Sequence, residues 1–161
     1  MDAAAIGDVE AVKKFISDGA DINMTDDKGN TALHISAWRR QLRTVRVLLS
    51  LGCKNDVVNS AYQQTALHFA CISGELRIVN ELIRAGANPN LGDSHGYTAI
   101  HHSIQNGHSS LVAFLIGIGV DIESKDKNGH TPFLWVCSSL QIFQFSHTNQ
   151  NRQHTWAIST F

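Results

Sequence analysis

The sequence predicts an all-α repeat protein, and three observations carry that expectation. A four-residue motif returns at a near-constant step, a glycine returns in the same phase, and an apolar stripe of helical period lies between them. Thr31-Ala32-Leu33-His34 recurs as Thr65-Ala66-Leu67-His68 and as Thr98-Ala99-Ile100-His101, with a degenerate copy at Thr131-Pro132-Phe133-Leu134. The steps from Thr31 to Thr65, to Thr98 and to Thr131 are 34, 33 and 33 residues. Self-similarity at such a period marks units that each fail to bury their apolar face alone and bury it by stacking.

Each element of the unit has a mechanical reason. Asp26, Asp93 and Asp126 precede their Thr by five positions, and Gly29, Gly96 and Gly129 by two. Asp and Gly at these offsets suit a tight turn, with Gly supplying a positive φ. The Thr is an expected helix N-cap that accepts from orphan backbone N–H groups. Small residues after the His (Ser36-Ala37, Ala70-Cys71) let neighbouring first helices approach closely. A second helix follows, with Val45, Leu48 and Leu49, then Ile78, Val79, Leu82 and Ile83, then Leu111, Val112, Leu115 and Ile116 forming its buried stripe. Gly52, Gly86 and Gly119 fall where a helix end takes a left-handed residue.

With its period, its repeated TALH and its paired helices, the pattern resembles the ankyrin-repeat family over residues 3–137. The resemblance implies an all-α solenoid of stacked helix-turn-helix units joined by β-hairpin loops, elongated and with a concave face. The expected organisation is a partial unit at 1–24, full units at 25–57, 58–91 and 92–124, a partial unit at 125–137, and a divergent tail at 138–161. The first unit lacks its own TALH, as in an N-terminal cap or a start inside a longer array. Arg40 stands where the family has Gly between its two helices, so the second unit is expected to be less regular. The loop 54–64 carries one extra residue. In the tail the phase is lost; Phe133, Trp135, Leu140, Ile142, Phe143 and Phe145 are expected to form a sticky, marginally stable cluster, and removing 138–161 to raise solubility.

Composition narrows the function. The chain has 161 residues, 43% hydrophobic and 17% charged, which is ordinary for a folded domain. A formal net charge of −1 provides no field to gather nucleic acid or anionic lipid. No apolar run approaches the roughly 20 residues of a membrane helix, and the N-terminus lacks the apolar core of a secretory signal. Cys53, Cys71 and Cys137 are far apart and form no CxxC pair, as befits free thiols in a reducing, cytoplasmic setting. Among the nine histidines, His34, His68 and His101 hold one repeat position each, about a unit apart, too distant to share a metal ion. The resemblance implies that they tie the turns together by hydrogen bonds. The adjacent His101 and His102 would point about 100° apart on a helix, a poor chelating pair. With no nucleophile motif, no phosphate-binding Gly-rich loop and no HExxH, neither catalysis nor a cofactor is expected.

The expected partner is another protein or peptide, not a nucleic acid or small molecule. In an ankyrin stack the hairpin tips and the outward positions of the first helices line the concave face. Those positions here include Ile35, Trp38, Arg39, Phe69, Ile72, Tyr97, His102, Gln105 and Trp135, with Asn30, Gln63, Ser73, His95, Asn106 and His130 around them. Aromatic and Arg side chains of this kind are the anchors that interfaces favour. Arg39, Arg43 and Arg46 would form a basic face if one helix ran through them.

A narrower resemblance adds an alternative. The single 34-residue step, the final DKNGHTPFLW segment (126–135) and Asn106-Gly107-His108-Ser109-Ser110-Leu111-Val112 look like the ankyrin array of DHHC-type protein S-acyltransferases. That implies a non-catalytic, substrate-recruiting array, set at the cytosolic face of an internal membrane if part of a larger transferase. The subgroup's peptide groove relies on an Asn and a Trp whose positions here hold Arg39 and Phe69, so its peptide preference does not carry over.

Overall fold

The structure, a computed structural model, describes residues 1–137 of the chain. Eight helices run in order: α1 (Asp2–Ile6), α2 (Val9–Ser17), α3 (Ala32–Trp38), α4 (Leu42–Ser50), α5 (Ala66–Ser73), α6 (Leu76–Arg84), α7 (Ala99–Gln105) and α8 (Ser109–Gly117). A further helical stretch covers 132–137. The odd-numbered helices stack on one another, as α1 on α3, α3 on α5 and α5 on α7. α2 packs on α4 and α4 on α6 to form a second layer, and each helix also packs on its partner within the unit. The core is the seam between these two layers.

Close stacking of the first layer rests on the small residues. Ser36, Ala37, Ala70 and Cys71 are completely buried, so no side-chain bulk separates α3 from α5. In the second layer Val45, Leu48, Ile78, Val79, Leu82, Leu111 and Leu115 are buried as the period predicts, with Leu49, Ile83 and Val112 packed beside them. Ile116 departs from expectation and is 52% exposed. Its register mates Leu49 and Ile83 are only half-buried, so this position lies on the flank of the stripe. Phe15, in register with the buried Leu48, Leu82 and Leu115, is likewise 61% exposed, because it sits on the first unit of the stack. Both sulphurs in the core are burdened by desolvation: burial raises the Cys53 thiol to about 11 and the Cys71 thiol to about 12.

The loops between units are hairpin turns, but among the described residues they form no strands beyond one isolated bridge, Thr25 to Thr31. Three of them are closed by a backbone bond from Asp26 N–H to Asn30 C=O, Asp93 to Tyr97 and Asp126 to His130, at 2.9 to 3.0 Å, and the longer one by Asn59 N–H to Gln64 C=O at 2.9 Å. The Asp carboxylate then accepts two backbone N–H bonds inside its own turn, as Asp93 does from His95 and Tyr97. The turns are stitched to one another: Ser60 N–H donates to Lys28 C=O, Ser94 to Tyr62 and Lys127 to His95.

Two residues substitute for glycine at a positive φ. Arg40 adopts φ 59°, matching Gly74 and Gly107 at the same place, so the second unit keeps the regular turn that its sequence put in doubt. Its guanidinium donates to the Ser73 carbonyl of the next unit, which offsets the left-handed backbone. Gln63 adopts φ 56° where the other turns have Gly. In that longer loop Asn59 replaces the Asp, its side-chain oxygen accepting from Tyr62 and Gln64 N–H.

One core atom is left orphaned. The hydroxyl of fully buried Thr44 has no partner among the described residues. Its register mates in α6 and α8 are the buried Ile78 and Leu111. Thr44→Val should therefore stabilise the protein by about 1 kcal/mol, because an isosteric methyl removes an unmet hydrogen bond. A thermal melt checks this; a lower melting temperature would mean that the hydroxyl has a partner.

Candidate protein-binding groove

The first helices are locked in place by the repeated histidine. In α3, α5 and α7 it sits three residues after the N-cap Thr, and its Nδ1 accepts from the Thr backbone N–H at 3.1, 3.0 and 3.2 Å. The histidine thus fills the place that Glu or Gln takes in a capping box. An accepting Nδ1 puts the proton on Nε2, which donates across the stack: His34 to Gln64 C=O, His68 to Leu91 and Tyr97 C=O, and His101 to His130 C=O. Burial, which disfavours the imidazolium, lowers the pKa of all three, that of His68 to about 4. These residues are structural ties, and the Thr cap that the sequence predicted works jointly with them.

The outward residues of the first helices fall into register columns. Ile35, Phe69, His102 and Trp135 form one, and Trp38, Ile72 and Gln105 the next. On the second and third units their members line an open groove of about 680 Å³, which Met1, Asp2 and Ala5 of the first unit also border. Its floor is Ile35, Trp38, Phe69 and Ile72, with Arg39 at the far end of α3 and Asp26, Asp27 and Lys28 on the hairpin at the near end. Trp38 is 46% exposed and meets Phe69 edge-on at 5.8 Å, while His34 braces Phe69 from behind at 5.6 Å. The floor is therefore an apolar shelf held by buried groups, with one large ring still open to solvent.

Five of the nine positions picked from sequence converge here: Ile35, Trp38, Arg39, Phe69 and Ile72. Tyr97 and Trp135 are half-buried farther along, with ring centres 5.1 Å apart, and the Trp135 indole N–H donates to Asp126 at 3.2 Å. Gln105 is exposed beyond the groove.

His102 corrects the expectation of an exposed contact. It is 5% exposed, its Nε2 lies 3.0 Å from the Asp93 carboxylate, and the rings of His68 and Tyr97 close over it. Burial alone would raise the pKa of Asp93, but hydrogen bonds from His102, Gln64 and two backbone amides outweigh it, and the carboxyl is held well below the usual range. Asp93 draws His102 inward, and Ser73 is buried as well. The basic face is also dissolved. Arg39 ends α3, the turn at Arg40 separates it from α4, and Arg46 is paired with Glu81 at 2.7 Å.

Among the groove residues that sequence reasoning missed are Asp2, Asp27, Lys28 and Tyr62. Tyr62 is 55% exposed and leads from the groove to His95 and Tyr97. No group of three or more His, Cys, Asp or Glu side chains among the described residues could hold a metal ion. No described helix is long and apolar enough to cross a membrane.

A stack of two-helix units with His-braced hairpins and a groove across its first helices defines an α-solenoid binding scaffold. A family model for ankyrin repeats in three copies matches residues 1–93 and 74–145, and the chain belongs to the ankyrin-repeat family. It is a protein-interaction module, of a repeat type that is non-catalytic. Palmitoyltransferase AKR1 of Lachancea kluyveri is 31% identical over 138 residues, which are 81% of this chain and 19% of that protein. Palmitoyltransferase ZDHHC13 of Pongo abelii is 31% identical over 132 residues, 82% of this chain and 21% of that protein. The transient receptor potential cation channel subfamily A member 1 homolog of Caenorhabditis elegans is 34% identical over 138 residues, 85% and 11% of the two chains. The chain spans about a fifth or less of the length of these relatives.

Proposed function

We propose that the chain binds an extended segment of a partner protein in the groove between its second and third units. The observation that carries this reading is the shelf of Ile35, Trp38, Phe69 and Ile72, which leaves the Trp38 ring exposed on a rigid support. Aromatic and Arg side chains in such pockets are the usual energetic anchors of interfaces. Tyr97, Gln105 and Trp135 extend the contact surface along the stack, and Arg39 supplies its cation. The binding units are those at 25–57, 58–91 and 92–124. No cofactor, nucleic acid or small-molecule substrate enters this reading, and its setting is the cytoplasm.

Replacing Trp38 and Arg39 together by Ala tests it. Affinity for a bound segment should fall roughly 10-fold or more, as expected when an interface anchor is truncated. The melting temperature should stay within about 2 °C, since exposed side chains contribute little to folding. A large drop in melting temperature would instead assign both residues to the core.

A second reading is favoured by the palmitoyltransferases among the relatives. In it the array recruits substrates for S-acylation carried out elsewhere, at the cytosolic face of a membrane. Association with a transferase domain, read by acylation of a segment bound in the groove, would separate it from a freestanding scaffold.

A further inference from the structure

The groove carries charges of opposite sign at its two ends, and at each end one of them, Asp27 or Arg39, is not used by the fold, whereas Asp26 is engaged by Lys28 and Asn30 within its own turn. Asp2, Asp26 and Asp27 line the end nearest the hairpin, together with Lys28 and Met1, so that three carboxylates there face two ammonium groups. Arg39 lines the opposite end, at the C-cap of α3. Asp27 and Arg39 are exposed, and neither makes an ion pair among the described residues. Among the other arginines of this unit, Arg40 donates to the Ser73 carbonyl and Arg46 pairs with Glu81, while Arg43 lies on α4 outside the groove. Between the two ends the floor is Ile35, Trp38, Phe69 and Ile72, which offers a ligand no charge and, among side chains, only the indole N–H of Trp38 as a donor.

The distance between the ends follows from helix geometry. Seven residues of α3 separate the hairpin from Arg39, which at about 1.5 Å per residue is roughly 10 Å. An extended peptide advances about 3.3 Å per residue, so two of its side chains three or four positions apart span the same length.

We propose, building on the groove assignment, that the partner segment is a dipolar peptide. It carries a Lys or Arg for the acidic hairpin end, an Asp or Glu three or four residues away for Arg39, and apolar residues between them for the Trp38–Phe69 shelf. The charges set orientation and register, because a reversed peptide would place its cation on Arg39 and its carboxylate among the three aspartates. The apolar residues supply most of the affinity. Complementary charge acts mainly through selectivity and association rate, and across an exposed rim it weakens with salt.

The test is a selection from a phage-displayed random dodecapeptide library against the full chain, repeated on Trp38→Ala and on a charge-reversed Asp27→Lys/Arg39→Glu variant. Enriched peptides should carry opposite charges three or four residues apart around an apolar pair. Synthetic copies should bind at least 10-fold more tightly than copies with the two charges exchanged. The charge-reversed variant should invert that preference, and Trp38→Ala should abolish enrichment. Enriched peptides that depend on Trp38 but show no preference for charge order would overturn the dipolar assignment and leave the groove standing. Enrichment that is indifferent to Trp38 would overturn both. A circular dichroism spectrum and melt equal to wild type qualify each variant as folded.

Discussion

Acidification from pH 7 to pH 4.5 should lower the melting temperature by about 10 °C, with most of the loss between pH 6.5 and pH 4.5. The cause is the neutral state of the three repeat histidines. In the fold, His68 holds its proton on Nε2 and accepts on Nδ1, so an imidazolium would turn that acceptor into a second donor facing the Thr65 amide. Burial, reinforced by the neighbouring His102, therefore lowers its pKa to about 4, against the 6.5 of an open chain. Below 6.5 the unfolded chain takes up a proton that the native state refuses, and stability falls until the native group also titrates near 4. A gap of that size corresponds to about 3 kcal/mol, present in full above pH 6.5. His34 and His101 shift in the same direction for the same first cause, desolvation, and add to the slope. Asp93 and Asp126 act in a separate window. Their pKa values are depressed because hydrogen bonds outweigh burial, so their stabilisation is lost only as the pH falls below about 4. Melts at half-unit steps of pH measure this directly. His68→Gln should be less stable at pH 7 yet flatter between pH 6.5 and 4.5. A wild-type profile flat across that window would show that the histidines are not held neutral.

Gly74→Ala should destabilise the protein by about 3 kcal/mol, against about 1 kcal/mol for Gly107→Ala. Both glycines end a first helix region at positive φ, 76° and 71°, so both variants suffer the left-handed strain of an L residue. Only at Gly74 would the new methyl meet a neighbour. The Cβ would lie 2.5 Å from Cε1 of His108 and 2.7 Å from both ring nitrogens. That ring cannot swing away freely, because its Nε2 hydrogen-bonds the Ile72 carbonyl at 3.1 Å across the boundary between the third and fourth units. Moving it breaks a side-chain tie between neighbouring units. A repeat array is stabilised chiefly by nearest-neighbour interfaces, so the damage should appear as weakened coupling between those units. Urea denaturation of the two variants provides the comparison. Equal losses would mean that the His108 ring relaxes without cost.

Much of the architecture was legible because a repeat writes the same physical constraint several times. Gly52, Gly86 and Gly119 marked the ends of the second helices, and all three have the positive φ that the position requires. The small pairs after His34 and His68 announced the tight first layer. The irregular second unit was misread for a definite reason. Sequence shows that Arg40 is not Gly, but not that the Ser73 carbonyl lies within its reach. The missing Asp of the third hairpin was hidden by the inserted residue, which moves its replacement, Asn59, one place out of phase.

The candidate site divides along the same line. Ile35, Trp38, Arg39, Phe69 and Ile72 could be picked because they alternate with buried positions on the first helices. His102 lies in the same column as Ile35 and Phe69, and its sequence neighbourhood does not reveal that Asp93, nine residues earlier, captures it. Asp27 and Tyr62 were missed because they are hairpin residues without periodicity.

The sequence by itself determined the unit, its two helices, the turn chemistry and the column of residues that faces outward, since all of these follow from local spacing and backbone preference. Only the tertiary structure decided which members of that column remain exposed, where the shelf of Trp38 and Phe69 lies, and that unpaired charges of opposite sign flank it. These depend on groups from adjacent units meeting across the stack. A contact between residues some thirty positions apart leaves no trace in the local spacing of either one.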